Sequence, residues 1–222
     1  MSMMSKMKQV VSGALILGVT LVAGSAFAAG LEGKAGEAKA ILDDTVRPGQ
    51  VKFVSEAPAE KIVGTADGIK GEVVFNLTEL EKSAGKISVP VKSMKTGNDQ
   101  RDEHLRGADW LNAEKNPQIT FELKGLKDIK VAAKEGDKQV FVAKAFGAIT
   151  VNGVAKDIEA DVKVSWLDEK KGAKNPGDMV KVEGKFIVKL ADHKVAGKRG
   201  VVGDKVGESI QIDLTLYGLA KK

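Results

Sequence analysis

The stretch "IEADVKVSW", residues 158–166, alternates apolar and polar side chains with a period of two. Its apolar positions are Ile158, Ala160, Val162, Val164 and Trp166. The residues between them are Glu159, Asp161, Lys163 and Ser165. Successive side chains of a β-strand point to opposite faces of the sheet, whereas a helix would turn some of these charges toward the core. The stretch therefore predicts a strand with one buried face and one solvated face.

Five further segments repeat this alternation. They are "GEVVFNL" (71–77), "KISVPVK" (86–92), "QITFELKG" (118–125), "MVKVEGKFIVKL" (179–190) and "ESIQIDLTLYG" (208–218). Turn signals such as "KEGDK" (134–138) and "AGKRG" (196–200) separate them. Strands joined by short loops pair antiparallel, and closing the sheet into a barrel removes its unpaired edges. We therefore predict an all-β fold, an antiparallel eight-stranded β-barrel, with a two-sheet sandwich as the alternative.

One stretch, "TGNDQRDEHLRGADWL" (96–111), interrupts the alternation. Asn98 suits a helix start, because its side chain can accept a hydrogen bond from a free backbone N–H group. Asp102 and Arg106 are four residues apart, so they are expected to pair on the helix surface. The stretch predicts a short helical connection over residues 98–111.

The same stretch holds His104, one of two histidines in the chain. A zinc site needs three or four ligands, usually with more than one His or Cys, and His193 is far away in sequence. A dyad of His104 with Asp102 or Glu103 has no nucleophile at a recognisable motif, since neither G-x-S-x-G nor H-E-x-x-H occurs. The stretch is thus interpreted as structural, and the sequence predicts no metal, no cofactor and no catalytic residue.

Composition narrows the function classes further. The chain has 222 residues, a formal net charge of +5 and no cysteine. Disulfides, thiol nucleophiles and cysteine metal sites are therefore excluded. The lysine excess is spread along the chain and forms no basic stripe with interleaved aromatics, so nucleic-acid binding is not indicated.

The first residues have the pattern of a secretory signal peptide. Lys6 and Lys8 precede an uncharged apolar run from Val10 to Ala23, and an A-x-A motif ends at Ala28. The apolar run is shorter than the roughly 20 residues that span a bilayer. We expect residues 1–28 to be cleaved, the mature chain to lie in the periplasm, and residues 29–49 to form a flexible or weakly helical leader.

The segment "TGNDQRDEHLRGADWLNAEKNPQITFEL" (96–123) resembles the signature of the YceI-like family, which runs T-G-N, R-D-x-H-L, an aromatic–Leu pair and x-P-x-x-T-F. The matching residues are Thr96, Gly97, Asn98, Arg101, Asp102, His104, Leu105, Trp110, Leu111, Pro117, Thr120 and Phe121. Downstream, "GAITVNGVAKDIEADV" (147–162) is similar to the family's G-x-L-T-x-x-G-V-T-K segment, with Ile149, Asn152 and Ala155 in place of the usual Leu, His and Thr. The resemblance covers residues 50–219.

The resemblance implies an extended, lipocalin-like barrel in the periplasm whose apolar tunnel carries a long-chain ligand. The implied ligand is a polyisoprenoid, an isoprenoid quinone or a fatty-acid-like amphiphile, and the implied role is binding or transport without catalysis. Alternation then gives the candidate lining residues. They are Phe75, Val89, Val91, Phe121, Phe141, Ile149, Val162, Phe186, Val188 and Leu214.

Several alternatives stay open at this stage. The pattern does not decide whether the barrel is open or filled. A filled barrel would act through its surface as a stress-response or partner-binding module, and an enzyme on lipid-like substrates would use His104 or His193 as base. A homodimer and transient contact with a membrane surface are further options.

The segment 192–208 departs from the R-x-D/E-F-G-like pattern of many relatives. Its basic side chains either face a phosphate or carboxylate head group or form a solvated loop. They are His193, Lys194, Lys198, Arg199 and Lys205.

Overall fold

The computed structural model describes residues 29–44 and 46–221, which are mostly β-strands. The strands are β1 (Glu37–Leu42), β2 (Gln50–Glu56), β3 (Lys61–Ala66), β4 (Lys70–Asn76), β5 (Ala84–Pro90), β6 (Gln118–Glu135), β7 (Lys138–Val151), β8 (Val154–Leu167), β9 (Asp178–Lys189) and β10 (Ser209–Lys221). Within these described ranges there is a single α-helix, α1 (Asp99–Arg106), between β5 and β6. None of the helical segments there has the length and apolar character needed to cross a membrane.

Eight of the strands form a closed antiparallel barrel. The ring runs β1-β4-β5-β6-β7-β8-β9-β10 and closes because β1 also pairs with β10. In this last pairing Lys39 lies opposite Lys221 and Leu42 lies opposite Gly218. The predicted all-β fold, with its eight-stranded barrel and its short helical connection, is confirmed. The strands belong to one sheet that closes on itself, and not to the two stacked sheets of the alternative.

Strands β2 and β3 extend one end of the barrel wall. β10 pairs with β1 near its C-terminus and with β2 over Ile210–Thr215, so β1 and β2 occupy the same edge of β10 one after the other. β3 pairs with β2 along its whole length, and Thr65 then bridges to Lys95 beside α1. The helix is thereby placed at the end of the barrel that β2 and β3 extend.

The prediction of a flexible or weakly helical leader was wrong for residues 37–42. These residues form β1, which pairs with β4 on one side and β10 on the other. Ala38, Ala40 and Leu42 point inward and are buried, while Glu37, Lys39 and Ile41 are exposed. The barrel therefore begins before residue 50, and its ring cannot close without this strand. Residues 1–28, predicted as a signal peptide, lie outside the described residues.

The alternation that predicted β8 matches its burial. Ala160, Val164 and Trp166 are buried, whereas Glu159 and Asp161 are exposed. Ile158 and Val162 also point inward but remain half-buried, because they border an internal space. Trp166 at the C-terminal end of the strand is completely buried.

The barrel end at Trp166, called here the filled end, is packed with side chains. Trp166 makes an edge-to-face contact with Phe75, with ring centroids 5.5 Å apart, a favourable aromatic geometry. Phe141 and Leu31 belong to the same buried core. Gln139 fastens the chain beside Leu31, since its side chain both accepts from the N–H of Glu32 at 2.8 Å and donates to the carbonyl of Glu32 at 2.9 Å.

A charged network surrounds the indole N–H at the filled end. Asp178 accepts hydrogen bonds from Trp166 Nε1 at 2.8 Å, from Lys34 Nζ at 2.7 Å and from the N–H of Glu169 at 2.9 Å. Lys34 also contacts Asp168 Oδ1 at 2.9 Å. Burial opposes ionisation of Asp178, but the hydrogen bonds from Lys34, Glu169 and Trp166 outweigh it and hold the pKa of this carboxyl below its usual value. Burial likewise acts to lower the pKa of Lys34, and the hydrogen bonds to Asp178 and Asp168 reverse this and raise it.

Replacing Asp178 with Asn is expected to reduce the free energy of unfolding by about 2 kcal/mol at neutral pH, because a charged acceptor of three hydrogen bonds is lost. A lowered folded-state pKa gives stability that is present above the ordinary Asp value of about 3.9 and disappears as the pH falls through the folded-state value. The difference between wild type and Asp178→Asn should thus shrink as the pH is lowered toward about 2. Denaturant titrations across this pH range measure this difference.

Asp137→Asn is the control, since the ion pair of the Asp137 side chain is a 3.7 Å surface pair with Lys170. A difference that is independent of pH would contradict the assigned role.

Candidate functional site

The barrel encloses an apolar cavity of about 600 Å³. All ten strands contribute inward side chains to its wall, from Leu42 of β1 to Leu214 of β10. Small residues widen it, since Ala145, Ala160 and Gly184 occupy inward positions on three adjacent strands. The interior is therefore open above the filled end, which answers the question that the sequence pattern left undecided.

Eight of the ten candidate lining residues border this cavity. They are Phe75, Val89, Phe121, Ile149, Val162, Phe186, Val188 and Leu214. They come from seven different strands, and the closed sheet brings them together. Whether each one contacts a ligand stays a prediction.

Val91 and Phe141 do not line the cavity, which corrects two of the predicted positions. β5 ends at Pro90, and Val91 begins a short 3-10 turn that removes it from the strand alternation. Phe141 does point inward, but it lies opposite Val131 and Val164, near the filled end. Its side chain has no exposed surface and belongs to the packing that closes the cavity.

The other end of the barrel, called here the mouth, is formed by residues 96–111, the β2–β3 turn at Glu60 and the loop 194–206. Among the residues that the structure describes, the polar side chains that border the cavity lie at this end, apart from Ser55 and Thr120 within the wall. Those at the mouth are Glu60, Thr96, Asn98, Gln100, Arg101, His104, Lys198 and Lys205. The site is thus an apolar chamber with a polar end.

Helix α1 is fixed at the mouth by the T-G-N and R-D parts of the sequence signature. Asn98 caps the helix by accepting a hydrogen bond from the N–H of Arg101 at 3.0 Å, as predicted. Gly97 takes the positive φ of 77° that the turn before the cap requires. Asp102 accepts from Thr96 twice, from its N–H at 2.7 Å and from its hydroxyl at 2.6 Å.

The predicted surface pair of Asp102 with Arg106 was wrong. Asp102 is only 5% exposed, because its carboxylate turns back toward Thr96. Arg106 instead donates to the carbonyl of Lys92 at 3.3 Å. Arg101 completes the network, since its Nε donates to Thr96 Oγ1 at 3.0 Å and its guanidinium forms an ion pair with Glu60. The signature residues therefore connect the helix to the β2–β3 turn across the mouth.

The loop 194–206 packs over the mouth. Val195, Val201 and Val206 border the cavity, and the backbone of the loop is attached to the β2–β3 turn because the N–H of Ala59 donates to the carbonyl of Asp204 at 3.1 Å. Of the basic residues predicted here, Lys198 and Lys205 border the cavity, whereas Lys194 and Arg199 are exposed and do not. His193 is buried and its Nδ1 lies 2.9 Å from the carbonyl oxygen of Val154.

Sequence reasoning missed the cavity residues that lie outside regular strands. Examples are Met94, Leu105, Leu111, Val195 and Val206, which come from the connections around α1 and from the loop 194–206. No period marks such positions. Their apolar character within otherwise polar segments was the available signal. In the residues that the structure describes, no group of three or more His, Asp and Glu side chains is arranged to hold a metal ion.

A comparison with known protein families matches residues 45–217 to the YceI-like domain. The chain belongs to the YceI-like family. Curated relatives named Protein YceI support this: that of Escherichia coli O6:H1 is 31% identical over 68% of this chain and 73% of its own length, and that of Salmonella arizonae is 32% identical with the same coverage.

Solved structures share the fold of this YceI-like chain at lower identity. BcnA of Burkholderia cenocepacia matches 76% of this chain and 95% of its own, with 20% identity and a TM-score of 0.59. A polyisoprenoid binding domain from Saccharophagus degradans matches 85% of this chain and 100% of its own, with 15% identity and a TM-score of 0.58. These similarities agree with the barrel described above.

Replacing Asp102 with Ala is expected to lower the free energy of unfolding by about 2–3 kcal/mol, because the N–H and hydroxyl of Thr96 lose a charged acceptor in a buried position. Asp99→Ala is the matched control in the same helical turn. Asp99 is exposed, so its loss should remove only a helix-dipole contribution of about 0.5 kcal/mol. Denaturant unfolding of the two variants measures the difference, and equal effects would show that the buried carboxylate has no special role.

Proposed function

We propose that this protein is a periplasmic carrier that binds a long-chain apolar ligand inside its barrel. The observation that carries the proposal is the apolar cavity of about 600 Å³ with polar side chains at one end. This volume lies within the roughly 300–1,000 Å³ that is usual for small-molecule sites. The ligand class is a polyisoprenoid, an isoprenoid quinone or another amphiphile with a long tail.

The binding force in such a cavity is desolvation of the tail. Each buried CH₂ group contributes about 0.8 kcal/mol, less the cost of ordering a flexible chain. Wall residues such as Phe121, Val162 and Phe186 offer no directional contacts, so tails of similar width should bind with similar affinity. Membership of the YceI-like family supports this ligand class, as does the likeness in fold to the polyisoprenoid binding domain of Saccharophagus degradans.

The charges at the mouth suit a ligand with a polar or anionic head. Lys198, Lys205 and Arg101 border the cavity there, and the charge of Arg101 is already paired with Glu60. A tail in the chamber would leave its head group at this entrance. A phosphate or carboxylate head is favoured over a neutral one, because these two lysine side chains border the cavity and form no ion pair with any residue that the structure describes.

Export rests on the sequence pattern of residues 1–28. Cleavage after Ala28 would release a mature chain that begins at Ala29. We propose that the protein binds its ligand without catalysing a reaction. No specific observation favours a reaction at His104 or at His193, and His193 Nδ1 is in hydrogen-bond contact with the backbone carbonyl oxygen of Val154.

The first test is native mass spectrometry of protein isolated from the periplasm, followed by organic extraction and lipid identification. A stoichiometric adduct that disappears on extraction supports the carrier function and identifies the ligand. Protein that carries no adduct and takes up neither an isoprenoid nor a fatty chain when offered one contradicts it.

Ala160→Trp is expected to abolish most lipid uptake while the barrel stays folded. The larger side chain would project into the cavity from β8, where Ala160 borders the open space. Ile187→Trp is the matched control, since Ile187 is 59% exposed on the outer face of β9. Lipid occupancy by native mass spectrometry and folding by circular dichroism are measured for both. Equal occupancy in the two variants would argue against an internal site.

The double variant Lys198→Ala/Lys205→Ala is expected to weaken binding of a long-chain phosphate monoester by about tenfold, which corresponds to about 1.4 kcal/mol. Binding of the alcohol with the same chain should change little. Lys194→Ala/Arg199→Ala is the control, because it removes the same net charge from the same loop at positions outside the cavity wall. Equal losses for phosphate and alcohol would show that the lysines do not contact the head group.

A further inference from the structure

The first described residues, Ala29 to Leu31, lie in a fixed position against the turn that follows β4. The N–H of Leu31 donates to the carbonyl of Leu77, and the N–H of Leu80 donates to the carbonyl of Ala29, both at 2.8 Å. Gly30 packs so closely that an added Cβ would lie 2.9 Å from the carbonyl oxygens of Leu77 and Thr78. The backbone nitrogen of Ala29 is therefore held at a defined place on the barrel.

The backbone N–H of Ala29 donates to the carboxylate of Glu81. Ala29 N lies 3.0 Å from Glu81 Oε1 in a partly buried hydrogen bond. The second oxygen, Glu81 Oε2, is buried and has no hydrogen-bond partner in the part of the chain that the structure describes. Neither does Glu81 take part in any of the ion pairs found among those residues. A carboxylate in this position has one donor for two oxygens and no cation.

The side chain of Glu81 is half-buried. Removing a charge from water is costly, and a single amide N–H compensates only part of the cost. The chemistry that would complete the site is a cation with several N–H donors at the position of Ala29 N. Hydrolysis of the Ala28–Ala29 peptide bond supplies this group: water adds across the bond, leaving a carboxylate on Ala28 and an ammonium group on Ala29.

We propose that Glu81 is a binding site for the α-ammonium group of Ala29, created when the chain is cleaved after Ala28. The inference rests on the export processing proposed above and is independent of the ligand in the cavity. The amide of the precursor offers Glu81 one donor and no charge. The ammonium group of the mature chain offers three donors and a positive charge. The Glu81 carboxylate, which is destabilising in the precursor, would then form a stabilising ion pair.

Replacing the amide N–H of Ala29 with an ammonium group would change the contacts of this atom alone. The backbone hydrogen bonds that join Ala29 and Leu31 to residues 77–80 do not involve Ala28 and are kept after cleavage. Leu31 is buried in the core near the filled end of the barrel. Pairing of the ammonium group with Glu81 would thus fasten the segment that precedes β1, the strand that closes the ring.

The test compares two chains, one starting at Ala29 and one carrying Gly-Ser before Ala29, each with and without Glu81→Gln. Both are released from a fusion partner so that their N-termini are defined by intact mass. In the chain starting at Ala29, Glu81→Gln should raise the unfolding equilibrium constant by about tenfold, because a charge-assisted contact is lost. In the extended chain the same substitution should leave the constant unchanged or lower it, because it removes an uncompensated carboxylate.

Glu79→Gln is the control, since Glu79 forms a surface ion pair with Lys82 at 2.6 Å and should have the same effect in both chains. A Glu81→Gln effect that is equal in the two chains would overturn the pairing. N-terminal sequencing of exported protein tests the cleavage site. A chain that starts at Ala29 supports the proposal, and a different start overturns it. Neither result depends on lipid occupancy, so a failure here is distinguishable from a failure of the carrier function.

Discussion

Closure of the sheet between β1 and β10 is the constraint on which the rest of the structure depends. An open sheet of this length would expose two rows of unpaired backbone groups and would have no interior. The short ladder from Lys39–Lys221 to Leu42–Gly218 joins the two ends, and every inward side chain then faces the same enclosed space. The apolar chamber is a consequence of this closure, since an eight-stranded ring is wide enough to hold a small guest when some inward residues are small.

Alternation along the sequence was sufficient to predict the long strands and most of the cavity wall. It succeeded for β8 and β9 because both have one solvated and one inward face, which the sequence records at every second residue. It failed for β1, where "EAKAIL" has the composition of a helix and lacks branched residues at two of its three inward positions. Pairing on both sides fixes this segment as a strand, and such tertiary context is not encoded locally.

The side chains whose positions were predicted wrongly have a similar explanation. Val91 follows the strand pattern in sequence, but the chain has already turned after Pro90. Asp102 is spaced for a surface pair with Arg106, yet Thr96 offers two donors within 2.7 Å, and a buried charge-assisted acceptor outcompetes a solvated ion pair. Periodicity predicts which face a residue occupies, but it does not predict how deep along the barrel axis the packing ends. Phe141 lies wholly within the packing, whereas Phe75 packs on Trp166 and also borders the cavity.

The two ends of the barrel have opposite chemistry. Trp166, Phe75 and the Lys34–Asp178 pair close one end, whereas the other is open and bordered by Arg101 and lysine side chains. A chamber that is packed at one end and polar at the other imposes an order on the ligand it would bind. A ligand of the proposed class would enter with its tail leading, and its head would be the last part to arrive and the first to leave. Any acceptor would therefore meet the head group before the protein has released a single methylene, so that hand-over can begin while most of the guest is still shielded from water.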